Sequence, residues 1–190
     1  MQKYNYKEIL GKVKKIVEKE CKKDSNIYGY DAWNHHILRV VKIAKKLAKR
    51  LKADKEIVEL SAYLHDIGGI MGDPKNHHIS GAETAEGILK KFKYPDKKIE
   101  QIKHCIFSHR ASQNIKRKTI EAECLASADA ISHFDDLPSI FYLVFVRNKL
   151  GIEDGTERLK NKLKRDWKKL IPEAKKIAKK KYEAIKLIFK

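Results

Sequence analysis

Leu64-His65-Asp66-Ile67-Gly68 is the stretch on which the reading of this chain turns. A histidine followed directly by an aspartate closes a helical stretch, Ile57, Val58, Leu60, Ser61, Ala62, Tyr63 and Leu64, that is apolar nearly all round. Such a helix is packed inside other helices, and burying an imidazole and a carboxylate there demands a compensating partner. Consecutive helix residues point about 100° apart. The pair therefore takes two neighbouring corners of one coordination sphere, or its aspartate bridges two ions, and either arrangement calls for further ligands elsewhere in the chain.

Composition sets the frame. Gly and Pro are scarce among the 190 residues while Lys, Glu, Ile, Leu and Ala dominate, which predicts an all-α fold, a single compact multi-helix bundle long enough to bury a full core. The three cysteines, Cys21, Cys105 and Cys124, are odd in number, widely spaced and lack a CxxC pair, which argues against a disulfide framework and for a reducing cytoplasm. Lysines interrupt Met1 to Val17 throughout, against a signal sequence. The longest uncharged apolar run, Ile140 to Val146, is too short to cross a bilayer. A net charge of +18 admits nucleic acid as a partner, but the excess is mostly lysine, as on heat-adapted surfaces. From Thr156 to Lys190 there are 14 Lys or Arg against 4 Asp or Glu. All eight histidines lie between His35 and His133, so a histidine-bearing body is followed by a basic helical part, about 153–190, expected to be solvated.

The remaining ligand candidates emerge along the chain. A first amphipathic helix is predicted over Tyr4 to Lys23, and a second over Ala32 to Leu51 with Asp31 as its N-cap. In the second, His36 shares the apolar face of Val40 and Ile43 whereas His35 is turned away; alone, His36 fits a satisfied core histidine as well as a ligand. Asp54 caps the third helix, expected to run to Gly68-Gly69. A turn at Gly72-Asp73-Pro74 leads to a helix from His77 to Phe92, in which Gly81 permits a close helix approach and either His77 or His78 faces back towards His65-Asp66. The helix after Pro95 ends in Ser108-His109-Arg110, with His104 at the surface, and Lys116-Arg117-Lys118 forms a basic loop. In the small, apolar helix from Glu121 to His133, Asp129 needs a cation and reads as a ligand, with His133 one turn later placed to orient it. A short helix from Pro138 to Leu150, buried on most sides, precedes two basic helices, Glu153 to Leu170 and Pro172 to Phe189.

Taken together, His36-Ile37-Leu38-Arg39-Val40, Leu64-His65-Asp66-Ile67-Gly68 and Ala128-Asp129-Ala130 resemble the HD-domain family of metal-dependent phosphohydrolases over about 31–136. The resemblance implies a divalent cation held by His36, His65, Asp66 and Asp129. His77, four residues before Gly81, and His109 after Ile106-Phe107-Ser108 are similar to the extra histidines of members that hold two metals, with Asp66 bridging. The chain departs from the cyclic-di-nucleotide phosphodiesterases of that family: it has no His-His doublet at 109, no Gly-Tyr-Pro after it, and Gly69 where they carry lysine.

The donor types point the same way. Imidazoles with carboxylates make a mixed N/O site suited to one or two ions of Mn, Fe, Co, Ni or Zn, and a cation there activates water against a phosphate ester or anhydride. Asp66 is the expected catalytic centre, with Arg39, Arg110 and Lys116 to Lys118 for the substrate's phosphate charge; Arg39 alternatively pairs with a scaffold carboxylate. The expected function is hydrolysis of a nucleotide or related small phosphate compound. The alternatives are a nucleic-acid-binding or nucleotide-sensing protein with a non-catalytic metal site.

Overall fold

Helix starts follow from capping chemistry. Asn5 accepts from the Glu8 N–H at 3.3 Å ahead of α1 (Tyr6–Cys21), and Asp54 accepts from the N–H groups of Glu56 and Ile57 at 2.9 and 3.4 Å ahead of α3 (Lys55–Leu64). Thr119 accepts from Ala122 at 3.2 Å ahead of α7 (Ile120–Asp135). Each satisfies a donor that the first helical turn leaves free. In the computed structural model, which describes residues 4–189, the elements between are a π-helical turn (Ala32–Ile37) running into α2 (Leu38–Leu51), α4 (Ile67–Ile70), α5 (His77–Lys91) and α6 (Asp96–Ser108). After α7 come α8 (Leu137–Phe141), a second π-turn (Tyr142–Arg147), α9 (Ile152–Lys169) and α10 (Pro172–Ile188). No strand occurs among the described residues.

The core is built around α3 and α7. Every residue of α3 from Ile57 to Leu64 is buried, and α7 is buried from Ala122 to Phe134 except at Glu123 and His133, with α2, α3, α6, α9 and α10 packed around it. The three cysteines are free and buried. Among the described residues no helix is long and apolar enough to cross a membrane.

Four expectations are corrected. Asp31 caps nothing, because its own backbone is already helical and the π-turn begins directly after it. The third helix stops at Leu64 rather than Gly68-Gly69: Asp66, at φ −103° and ψ 7°, leaves the helical region and the chain turns before α4. That break lets Gly68 lie against the start of α5. A Cβ on Gly68 would clash with Ser80 Oγ and stand 2.6 Å from the Gly81 nitrogen and 2.7 Å from the His77 carbonyl. The run Ile140 to Val146 is only partly buried, with Ile140 and Val144 inside but Tyr142 42% and Val146 56% exposed; one face of a turn suffices for a segment packed on one side. Finally, the basic C-terminal part is not a solvated appendage. α9 buries Leu159, Leu163, Asp166 and Lys169.

Candidate metal centre

The centre is built from histidines whose Nδ1 atoms are already occupied. Nδ1 of His65 lies 2.9 Å from the Ala62 carbonyl, that of His77 3.1 Å from Pro74, and that of His109 2.5 Å from Ile106, each three residues back. A carbonyl only accepts, so each Nδ1 carries the proton. Nδ1 of His36 meets Ser132 Oγ at 3.2 Å, and that hydroxyl donates to the Asp129 carbonyl at 2.7 Å, so here too the ring nitrogen donates. All four Nε2 atoms are left without a backbone partner, and His36, His77 and His109 border the cavity while His65 is buried behind them.

They converge on Asp66. His36 Nε2 and His65 Nε2 are 3.1 Å apart and stand 3.2 and 3.4 Å from Asp66 Oδ2. His77 Nε2 and His109 Nε2 stand 3.6 and 3.7 Å from the other oxygen, Oδ1. Ligands sharing one ion at bonds of about 2.1 Å sit roughly 3.0–3.5 Å apart, so the His36, His65 and Oδ2 spacings suit one cation, and those of His77 and His109 to Oδ1 are slightly wider. Among the described residues no lysine or arginine lies within 4.0 Å of Asp66; its charged-group neighbours are imidazoles alone. Bare ring nitrogens aimed at one another and at a carboxylate repel unless something positive stands between them. The donor set therefore fits a divalent transition metal.

Charge balance agrees. Burial opposes charging His65, yet the carboxylates of Asp66 and then Asp129 outweigh it and push this imidazole up to about 9, so the cluster draws positive charge to Nε2. Burial would raise Asp66, but His65, His109 and His36 hold it well below the usual carboxylate range. His109 is pushed down to about 4, chiefly by burial, and is neutral near pH 7.

Donor atoms within 4.8 Å of one another form three groups: Asp66, His77 and His109; His36, His65 and Asp66; and His36, Asp129 and His133. Of His77 and His78, the structure brings His77 to Asp66, whereas His78 stacks on Phe107 with ring centroids 5.6 Å apart. Asp129 Oδ1 lies 3.6 Å from His36 Nε2, in the group with His133 rather than the one with His65 and Asp66.

The C-terminal helix explains where Asp129 stands. Lys169, 8% exposed, donates from Nζ to Asp129 Oδ2 at 2.7 Å and to the His109 carbonyl at 3.1 Å. Burial would raise Asp129; the Lys169 ammonium and then His133 hold it well below its ordinary value. Asp166, 1% exposed, accepts from His133 Nδ1 at 2.9 Å, and His133 Nε2 lies 3.5 Å from Asp129 Oδ1. Lys169 and Asp166 escape sequence reading because they sit in a lysine-rich helix where nothing singles them out; their i, i+3 spacing on the face carrying Leu159 and Leu163 is the one available signal.

The expected phosphate-binding cations divide. Arg39 is the scaffold partner: it meets Asp136 Oδ2 at 3.1 Å and does not border the cavity. Lys116 to Lys118 do not border it either, and Arg117 pairs with Glu123 at 2.7 Å. Arg110 does, with Nε on Ser112 Oγ at 2.7 Å and Nη1 on the Lys75 carbonyl. His35 is half exposed beside Asp136 at 3.4 Å. His104 is half-buried, accepting from the Lys118 N–H at 2.9 Å. The cavity over the centre measures about 980 Å³.

Comparison with known proteins follows these residues. The sequence model of the HD domain matches residues 34–133. An uncharacterized protein of Clostridium beijerinckii is 36% identical over 103 residues, 51% of this chain and 62% of that protein. The tRNA (cytidine(56)-2'-O)-methyltransferase of Thermoplasma volcanium is 28% identical over 162 residues, 78% of this chain and 47% of the enzyme. The chain thus spans less than two thirds of the length of either relative. The crystal structure of an HD-superfamily hydrolase from Bacillus thuringiensis, 18% identical, superposes with a TM-score of 0.70 over 97% of this chain and 94% of that one, a likeness of fold.

Proposed function

The chain belongs to the HD domain family, and on that premise we propose that it is a metal-dependent phosphohydrolase acting on a nucleotide or a related small phosphate compound. The observation that carries this reading is the convergence of four Nε2 atoms on the two oxygens of Asp66 with no lysine or arginine among the described residues within 4.0 Å of it. His36 and His65 with Asp66 Oδ2 would hold one divalent ion, with Asp129 Oδ1 beside His36; His77 and His109 with Asp66 Oδ1 would hold a second. Such an ion, of Mn, Fe, Co, Ni or Zn, lowers the pKa of bound water and polarises a phosphoryl oxygen.

The protein's own part is positioning. Backbone carbonyls of Ala62, Pro74 and Ile106 lock the imidazoles, so the ligand atoms need little reorganisation. Arg110, fixed by Ser112 and the Lys75 carbonyl, presents a guanidinium to the cavity. Its fork matches phosphate oxygens. A cavity of about 980 Å³ is of small-molecule size.

A panel of phosphomonoesters, diesters and nucleotides assayed with Mn, Co or Ni tests the reading. Metal-stimulated turnover of at least one compound, lost in Asp66→Ala, is expected; no turnover across the panel by metal-loaded protein counts against it. The likeness to a tRNA methyltransferase over 78% of the chain favours a second reading, binding of RNA. In that case a labelled RNA bound at low salt is retained at moderate salt instead of being released as phosphate contacts are screened.

A further inference from the structure

We propose that α9 carries a row of phosphate subsites running from the mouth of the cavity to the metal centre, and that the substrate is accordingly a small molecule with several linked phosphates. This rests on the phosphohydrolase reading for the identity of the reaction, but not for the binding itself.

Arg158, Lys162, Arg165 and Lys169 all border the cavity. Their spacings of four, three and four residues place them on one face of a helix, over a rise of about 16 Å at 1.5 Å per residue. Arg158 and Arg165 are exposed, Lys162 between them is half-buried, and Lys169 at the inner end is buried. Lys169 is committed to Asp129, and Lys162 stands 3.4 Å from Asp166. Arg158 and Arg165 have no carboxylate within 4.0 Å among the described residues, and neither does Arg110, which also borders the cavity.

This arrangement is unfavourable for the helix itself. Like charges at i and i+4, as in Arg158 with Lys162 and Arg165 with Lys169, destabilise a helix, and here both pairs fall on the face that borders the cavity. Carboxylates lie deep in the same cavity, at Asp66, Asp129 and Asp166. A cation site at one end and uncommitted arginines at the other suit a ligand negative along its length. A single phosphate engages only one end. A cavity of about 980 Å³ is of small-molecule size and holds an oligophosphate compound.

The test is binding by the full chain loaded with Mn, with free Mn held constant by a metal buffer and orthophosphate and tripolyphosphate as probes. Tripolyphosphate is expected to bind roughly 10- to 100-fold more tightly than orthophosphate, as several charge-assisted contacts accumulate. In Arg158→Ala/Arg165→Ala, two exposed substitutions that leave the core untouched, that advantage should shrink by about tenfold. Equal affinity for the two probes, or an advantage unchanged in the double variant, overturns the proposal. Overturning also follows if a single-stranded RNA of a dozen nucleotides outcompetes tripolyphosphate through the same two arginines, for then the face serves a strand. Protein that binds tripolyphosphate through these arginines yet hydrolyses no phosphate compound upholds the proposal and removes the phosphohydrolase reading alone.

Discussion

Two aspartates, Asp129 buried and Asp66 half-buried, face the same cavity under opposite conditions. Asp66, at the break between α3 and α4, is surrounded by four imidazoles and, among the described residues, no lysine or arginine. Asp129, on α7, has one oxygen bonded to the Lys169 ammonium brought in by α9. The difference separates what an ion must do from what the fold already does. At Asp129 the buried charge is compensated from within the chain, so Lys169 is part of the structure's stability. At Asp66 the chain supplies only imidazoles, with His65 drawn to carry the proton, so the place of a fixed cation is left to something that binds.

Removing each side chain should expose that asymmetry, and the largest effect is expected at Asp66. Asp66→Ala should lower metal-dependent phosphate hydrolysis by about a thousandfold or more, because the ion and the water it activates go together. Folding should be little affected, since deleting an inward carboxylate also deletes its desolvation cost; a circular dichroism melt beside the turnover assay checks both. Lys169→Met should behave in the opposite way. It leaves Asp129 buried without its cation, at a cost of about 3–5 kcal/mol, measurable by urea unfolding without added metal. The comparison breaks if Lys169→Met is as stable as the unaltered protein.

Smaller effects sharpen the boundary of the Asp66 region. Gly68→Ala would drive a Cβ into Ser80 and the backbone of Gly81 and His77, for a loss of about 1–3 kcal/mol by overpacking. Because α5 must then back away with His77, metal content should fall as well, which a purely structural glycine would not cause. His35→Ala, beside His36 but half exposed and paired with Asp136, should change stability by less than about 0.5 kcal/mol and leave metal content unaltered. An inactive, metal-free His35→Ala would mean that the wrong histidine of the pair has been assigned.

The sequence makes one of these regions legible and hides the other. His65-Asp66 stands out because charged groups interrupt an apolar helix, and His36, His77 and His109 become interpretable through spacing to that motif and to Gly81. Lys169 and Asp166 are invisible by the same logic: in a helix with a lysine or arginine at nearly every turn, only burial distinguishes the ammonium that reaches Asp129. Arg39 misleads for a related reason. Its place in the His-x-x-Arg-Val segment suggests substrate contact, while its partner Asp136 is 97 residues away and cannot be seen from the segment. The π-turns at Ala32–Ile37 and Tyr142–Arg147 leave no mark on the apolar pattern, which there is that of an ordinary helix.

The central claim, that Asp66 is the uncompensated carboxylate around which cations assemble, is tested most directly by metal stoichiometry. Unaltered protein, Asp66→Ala and His109→Ala are dialysed against Mn and analysed for bound metal per chain. Two ions are expected for the unaltered chain, one for His109→Ala with the more weakly held ion lost, and none retained by Asp66→Ala. An Asp66→Ala protein with the metal content of the unaltered chain would contradict the account.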